Sequence, residues 1–403
     1  MKKILLLSIA VLLFVSCANP FPGNRTTESH FESNTTHRTD DETTDTEETT
    51  AKHAPVTDVD ITEIGYIGYG FTEGNSSNLT DEVINKFAEA GIKTVRIVFL
   101  YPFSDVEGTT LSQNFSKARA LAIKLYNSGF TVLGQTFWPG GWGANASTGE
   151  REWLNITGIP KALSDYNGDL YYEKMEDACY YMAKSLRKYV SYWLVSNEPN
   201  VSVYTGPMTD AQIIRFIRSC TEGLKAGNPN AKCGVNLLSR VDQARFNFYL
   251  RQLYGKNGFL DWVGLDGYFG SLQAGGPETW NSVITDCLKI VTVPIIITEW
   301  SYPSPETDPL NTFPNQWDGH ERGVESQADY VSECISIFAS YPEVIGAFWY
   351  QMADAHTGVC WECGQADCRL YSDWGLLYTD KTEKPAFFAL REAIKKITAA
   401  NNG

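Results

Sequence analysis

Pro294-Ile295-Ile296-Ile297-Thr298-Glu299-Trp300 is a short apolar, β-branched run with no polar break before Thr298. Such a run suits a strand covered on both faces, as in a parallel sheet. Longer amphipathic stretches flank it, Pro277 to Ile290 before and Gly323 to Tyr341 after, so it reads as the strand of a βα unit. The same alternation extends in both directions. Strands are expected at Ile64 to Gly70, Thr94 to Phe99, Phe130 to Phe137, Tyr192 to Glu198, Ala231 to Leu238, Asp261 to Tyr268 and Val344 to Gln351. The remaining helices are expected at Thr80 to Ala90, Ser112 to Ser128, Glu173 to Tyr189, Thr209 to Ala226, Val241 to Tyr254 and Glu383 to Thr398. Thr80 and Thr209 stand where N-caps belong, and Gly91, Gly129 and Gly227 where helices should stop. Eight βα units in one chain predict an α/β fold, a single (β/α)8 TIM barrel.

Three connections are long: Trp138 to Leu170, Ser301 to Arg322 and Met352 to Thr382. All follow strands, which puts them on the C-terminal face where barrels carry their sites. A doubly wound open sheet is the competing fold. It is disfavoured because no G-x-G-x-x-G follows the first strand and no P-loop occurs.

The chain begins differently. Lys2 and Lys3 precede an apolar run from Ile4 to Val15, too short for a bilayer core that takes roughly 20 helical residues. Residues 1–17 therefore read as a signal peptide. Its end, Phe14-Val15-Ser16-Cys17, resembles the lipobox of bacterial lipoproteins, with Phe14 in place of the usual Leu. The resemblance implies lipid on Cys17; ordinary secretion with cleavage near Ala18 is the other reading. Residues 18–56 are rich in Thr, Ser, Asn, Asp and Glu and carry eight acids against three bases. That composition cannot offset the entropy of ordering and predicts a disordered acidic tether, spanning roughly 35 Å or more as a flexible coil. The barrel is assigned to residues 57–403.

The whole sequence has a formal net charge of −15. That field repels phosphate backbones, so nucleic acid is not an expected partner. Trp, Tyr and Phe number 11, 21 and 20, enough to furnish a cleft as well as a core. The expected partner is a carbohydrate, with membrane contact only through a lipid anchor, and the chain is expected to be a monomer needing no cofactor.

Two strands end in a glutamate. Trp193-Leu194-Val195-Ser196-Asn197-Glu198-Pro199-Asn200 closes the fourth strand, and Glu299 closes the seventh. Paired carboxyl groups at one barrel mouth are what glycosidic cleavage requires: a proton donor for the leaving oxygen and a group to meet the oxocarbenium-like centre. The Asn-Glu-Pro and Thr-Glu-Trp motifs, in register with eight strands, resemble the clan of retaining glycoside hydrolases with TIM barrels that includes cellulases, mannanases and xylosidases. The resemblance covers about Ile64 to Thr398. It implies that Glu198 is the acid/base, Glu299 the nucleophile and Asn197 a contact of the sugar 2-OH. It further implies that Arg96 lies under the nucleophile, Tyr268 offers it a hydroxyl, and Trp349 floors the subsite of the cleaved sugar.

Arg96 could equally be a structural ion-pair partner, and Trp349 could be core. The clan often carries His on its cleft strands; here the barrel has only His320 and His356, and strand three offers Gln135 and Trp138 instead. Trp138, Trp142 and Trp153 suit stacking on pyranose rings or a loop mini-core. A non-catalytic glycan-binding lipoprotein is the alternative function, disfavoured because both Glu198 and Glu299 are present. A Ser-His-Asp hydrolase is disfavoured by the lack of G-x-S-x-G, and a metal-dependent hydrolase by the scarcity of His.

Nine cysteines leave eight in the barrel beside Cys17. An exported protein with that even number invites disulfides. Cys360, Cys363 and Cys368 form C-x2-C-x4-C just after His356. A local disulfide with a longer-range partner is the favoured expectation there, and a structural zinc site of Cys3His type the alternative. Cys179, Cys220, Cys287 and Cys334 fall in helices and read as small buried hydrophobes.

Overall fold

The computed structural model describes residues 68–73, 79–145, 148–355, 359–360 and 362–401. The signal segment, Cys17, the tether and His356 lie outside the described residues.

Eight parallel strands close into one barrel. In spatial order they are β1 (Gly68–Glu73), β2 (Thr94–Val98), β3 (Thr131–Gln135), β6 (Val190–Leu194), β7 (Lys232–Leu238), β8 (Trp262–Gly267), β9 (Ile295–Trp300) and β10 (Val344–Tyr350), which pairs back onto β1. Closure excludes the open doubly wound sheet. The helices that follow the strands are α1 (Asp81–Glu89), α2 (Gln113–Asn127), α3 (Asp169–Leu186), α4 (Asp210–Gly227), α5 (Gln243–Tyr254), α6 (Thr279–Leu288), α7 (Val324–Ala339) and α8 (Pro385–Asn401). Between β3 and α3 an antiparallel hairpin, β4 (Gly141–Ala144) with β5 (Arg151–Leu154), fills part of the long third connection.

Local chemistry sets the element ends. Thr80 accepts from the Val83 N–H, and Thr209 forms a full capping box with Gln212. Gly227 is the last residue of α4, where the helix is expected to stop, and packing also requires glycine there. A Cβ on Gly223 or Gly227 would fall 2.2 or 2.3 Å from backbone oxygens of α3, so the pair lets the two helices touch.

The core has two layers and a cap. Leu133, Leu194, Trp262, Ile296, Ile345 and Phe348 fill the barrel interior, and a larger cluster lies between strands and helices. Gly234 makes room for the Trp262 ring, since a Cβ would stand 2.3 Å from it. Leu238, Tyr268, Phe313 and Trp374 lie above the interior at the mouth. No helix among the described residues is long and apolar enough to cross a membrane.

None of the eight described cysteines is in a disulfide, which corrects the expectation of disulfides, a local one at Cys360 to Cys368 included. Cys179, Cys220, Cys287 and Cys334 are buried within the helix layer as expected, and Cys233 is buried on β7.

Candidate active site

Strand alternation alone would turn Glu299 away from the barrel axis, because Ile296 faces the interior and Ile297 the helices. β9 carries one extra residue. Ile297 pairs with Leu265 and Ala347, but Glu299 pairs with Asp266, and Trp300 with Trp349. The bulge at Thr298 resets the count and turns Glu299 to the mouth. Thr298 is used in the same place: its hydroxyl donates to Asp266 Oδ1 at 2.5 Å, and its carbonyl accepts from Arg96 Nη1 at 2.6 Å.

Glu198 is placed by a loop rather than by its strand. β6 ends at Leu194, and Ser196 and Glu198 then adopt φ of 70° and 35°. Non-glycine residues in that region cost on the order of 1–3 kcal/mol each and persist only when their surroundings hold them. The Ser196 N–H donates to Thr136 Oγ1 at 2.9 Å and the Glu198 N–H to Asn236 Oδ1 at 3.0 Å. Asn200 clamps the far end by bonding both the N–H and the carbonyl of Leu238, at 3.0 and 2.8 Å.

One carboxyl oxygen from each of Glu198, Asp266 and Glu299 lies within 4.8 Å of the others. All three groups are buried, Glu198 and Glu299 with 5% and 8% of their surface accessible and Asp266 with none. Arg96 bonds Glu299 Oε1, and the Tyr268 hydroxyl donates to Oε2. Gln135 joins the two sides: its Oε1 accepts from Arg96 at 2.9 and 3.2 Å, and its Nε2 donates to Asn197 Oδ1 at 3.0 Å. Asn236 donates to Asn197 Oδ1 at 3.1 Å and to Asp266 Oδ2 at 2.6 Å.

Three carboxyl groups face one guanidinium, so they cannot all be ionised in a buried site. Burial and then the neighbouring Asp266 and Glu299 charges push Glu198 well above the usual carboxylate range. Burial and the Glu299 charge push Asp266 up to about 8, against the opposing pull of Arg96 and its bonds from Thr298 and Asn236. Arg96 is held above its ordinary value because Glu299 and Asp266 outweigh the effect of its burial. Both oxygens of Glu299 are already engaged by donors, which suits the cluster to handling protons rather than a cation.

The structure thus brings together Glu198, Glu299, Arg96, Asn197 and Tyr268. Asp266 is an addition. Its signal was present in the sequence, as an acid inside the buried run Trp262-Val263-Gly264-Leu265-Asp266-Gly267-Tyr268. Trp349 is not brought to the mouth: it is fully buried on the helix side, edge-on to Trp300 at 4.8 Å, and its Nε1 donates to the Trp374 carbonyl at 2.8 Å. That placement corrects the expectation of a subsite floor. Its neighbour Tyr350 takes the mouth side, half-buried and perpendicular to Tyr268 at 6.1 Å.

Trp138 lies against Tyr204, centroids 6.3 Å apart, and its buried Nε1 makes no hydrogen bond. Burial, and then the charges of Glu198 and Glu362, push the Tyr204 hydroxyl well above its ordinary range. Trp142 and Trp153 instead pair across the β4–β5 hairpin at 5.7 Å, a loop mini-core. From the eighth loop Glu362 accepts a bond from the Tyr371 hydroxyl, and burial pushes its carboxyl up to about 7.

No protein-family model and no curated protein sequence matches the chain. Solved structures do. The GH5_18 protein of Streptomyces cattleya, solved with GlcNAc, superposes with a TM-score of 0.60 at 16% identity over 83% of this chain and 80% of that one. The family 1 β-glucosidase of Thermotoga maritima gives a TM-score of 0.58 at 12% identity over 84% and 98%. A fungal β-1,4-galactanase gives 0.58 at 15% identity over 81% and 100%. At these identities the likeness establishes the shared TIM-barrel fold.

Proposed function

We propose that this chain is a retaining glycoside hydrolase acting on β-linked carbohydrate. The observation that carries the reading is the approach of Glu198 and Glu299 within 4.8 Å at the mouth, one beside Arg96 and Tyr268 and the other with a raised pKa. Retaining enzymes hold their carboxyl groups about 5 to 5.5 Å apart, whereas inverting ones leave roughly 6.5 to 9.5 Å for a water. The β-linkage rests on similarity to proteins described as a β-glucosidase and a β-1,4-galactanase.

In this mechanism Glu299 attacks the anomeric carbon while Glu198 gives its proton to the departing oxygen. Glu198, now ionised, takes a proton from water, and that water displaces Glu299 from the glycosyl ester. Asn197, held by Gln135 and Asn236, faces the sugar 2-OH. Tyr350, Tyr204 and Trp138 supply apolar faces for pyranose rings.

A screen of aryl β-glycosides identifies the sugar. The matching 2-deoxy-2-fluoro glycoside then accumulates as an ester on Glu299, read by peptide mass spectrometry. Glu299→Gln loses nearly all turnover, while Glu198→Ala keeps activity on activated aryl substrates and is accelerated by azide. Inverted product, or label on another residue, would falsify the assignment.

The reading also places the chain outside the cytoplasm, held to a membrane by lipid on Cys17 and kept clear of it by the acidic tether. Cys17→Ala is expected to move the protein from the membrane fraction to the soluble one. A variant that still sediments with membranes overturns the anchor.

A further inference from the structure

Cys360, Cys363 and Cys368 bring three sulfur atoms within 4.8 Å of one another at the mouth side of the barrel, in the loop after β10. Around a tetrahedral ion with metal–sulfur bonds of about 2.3 Å, thiolates stand roughly 3.8 Å apart, inside that limit. The backbone is arranged for the same purpose. The Cys360 N–H donates to the Gln365 carbonyl at 3.0 Å. The Gly364 N–H closes the turn onto the Cys360 carbonyl at 2.7 Å, with Gly364 itself at φ 73°. Both spacings, x2 and x4, fall in the range zinc ligands use.

We propose that Cys360, Cys363 and Cys368 form a three-thiolate site for a soft divalent ion, Zn2+, completed by one nitrogen or oxygen donor. The ion holds the loop from which Glu362 reaches Tyr371 beside the cleft. Binding displaces the thiol protons and involves no change of oxidation state. Metal and disulfide are mutually exclusive uses of these sulfurs, so a disulfide is the competing outcome.

The test uses the full chain exported to its own compartment and purified without reductant or chelator. Elemental analysis is expected to find stoichiometric zinc, and X-ray absorption three sulfur neighbours with one lighter atom. Exchange with Co2+ is expected to give the sulfur-to-cobalt charge-transfer band. Cys363→Ser and Cys368→Ser lose the metal while Cys179→Ala keeps it. Should the serine variants fail to fold, alkylation of the parent decides: bound Zn2+ protects all three thiols, and a chelator exposes them together. Peptide mapping that finds any two of the three in a disulfide, or a parent that neither retains nor takes up Zn2+, overturns the site. These readouts do not depend on the proposed glycosidase activity; failure of that reading leaves them intact.

Discussion

Asp266 sets how many protons the barrel mouth holds. Glu198 and Glu299 were legible because each follows an apolar strand in matching register, and two such endings point at one place. Asp266 ends no strand and its partners, Asn236 and Thr298, come from other strands, so its role emerges only when β7, β8 and β9 are side by side. Gln135 and Asn236 were hidden for the same reason: they satisfy groups distant in sequence. In the proposed mechanism Asp266 acts through Glu198, as a positioning residue. Asp266→Asn removes a like charge from beside the acid, so the basic limb of the kcat/KM against pH profile should move to lower pH. A basic limb that stays in place, with kcat alone reduced, removes Asp266 from control of Glu198.

Element positions were readable to within a few residues, since long amphipathic helices and apolar strands differ in period. The β4–β5 hairpin was not, because Gly141-Trp142-Gly143-Ala144 is a weak strand former that depends on the Trp142–Trp153 pair. Faces near strand ends were the least readable. On β10, Phe348 fills the interior, Trp349 faces the helices and Tyr350 reaches the mouth, one residue beyond the expected platform. Trp349→Ala should therefore lower the urea midpoint by an amount equivalent to about 3–5 kcal/mol, as expected for a buried ring. Tyr350→Ala should leave the midpoint close to the parent and raise KM. The opposite pattern would return Trp349 to the cleft.

At the scale of the whole molecule, closure was legible from eight repeats, whereas the buried acids that link stability to pH were not. The folded pKa of Asp266, about 8, lies above its unfolded value near ~3.9. The native state thus keeps a proton that the unfolded chain releases, and Glu198 shifts in the same direction. This stabilisation is fully present below about pH 4 and is lost as pH rises through about 8, on the order of a few kcal/mol. Urea midpoints at constant ionic strength should fall across that interval, and less steeply in Asp266→Asn; a midpoint that climbs instead would contradict the buried protons. The extra residue at Thr298 also bears on descent. A one-codon deletion there would leave the glutamate directly after Ile297, still turned to the mouth by plain alternation, but would remove the Thr298 hydroxyl that bonds Asp266. Relatives could keep the glutamate in every alignment column and still lack the bond that holds Asp266 beside it. Homologues of such barrels are therefore better sorted by the length of this strand together with the letter at its end.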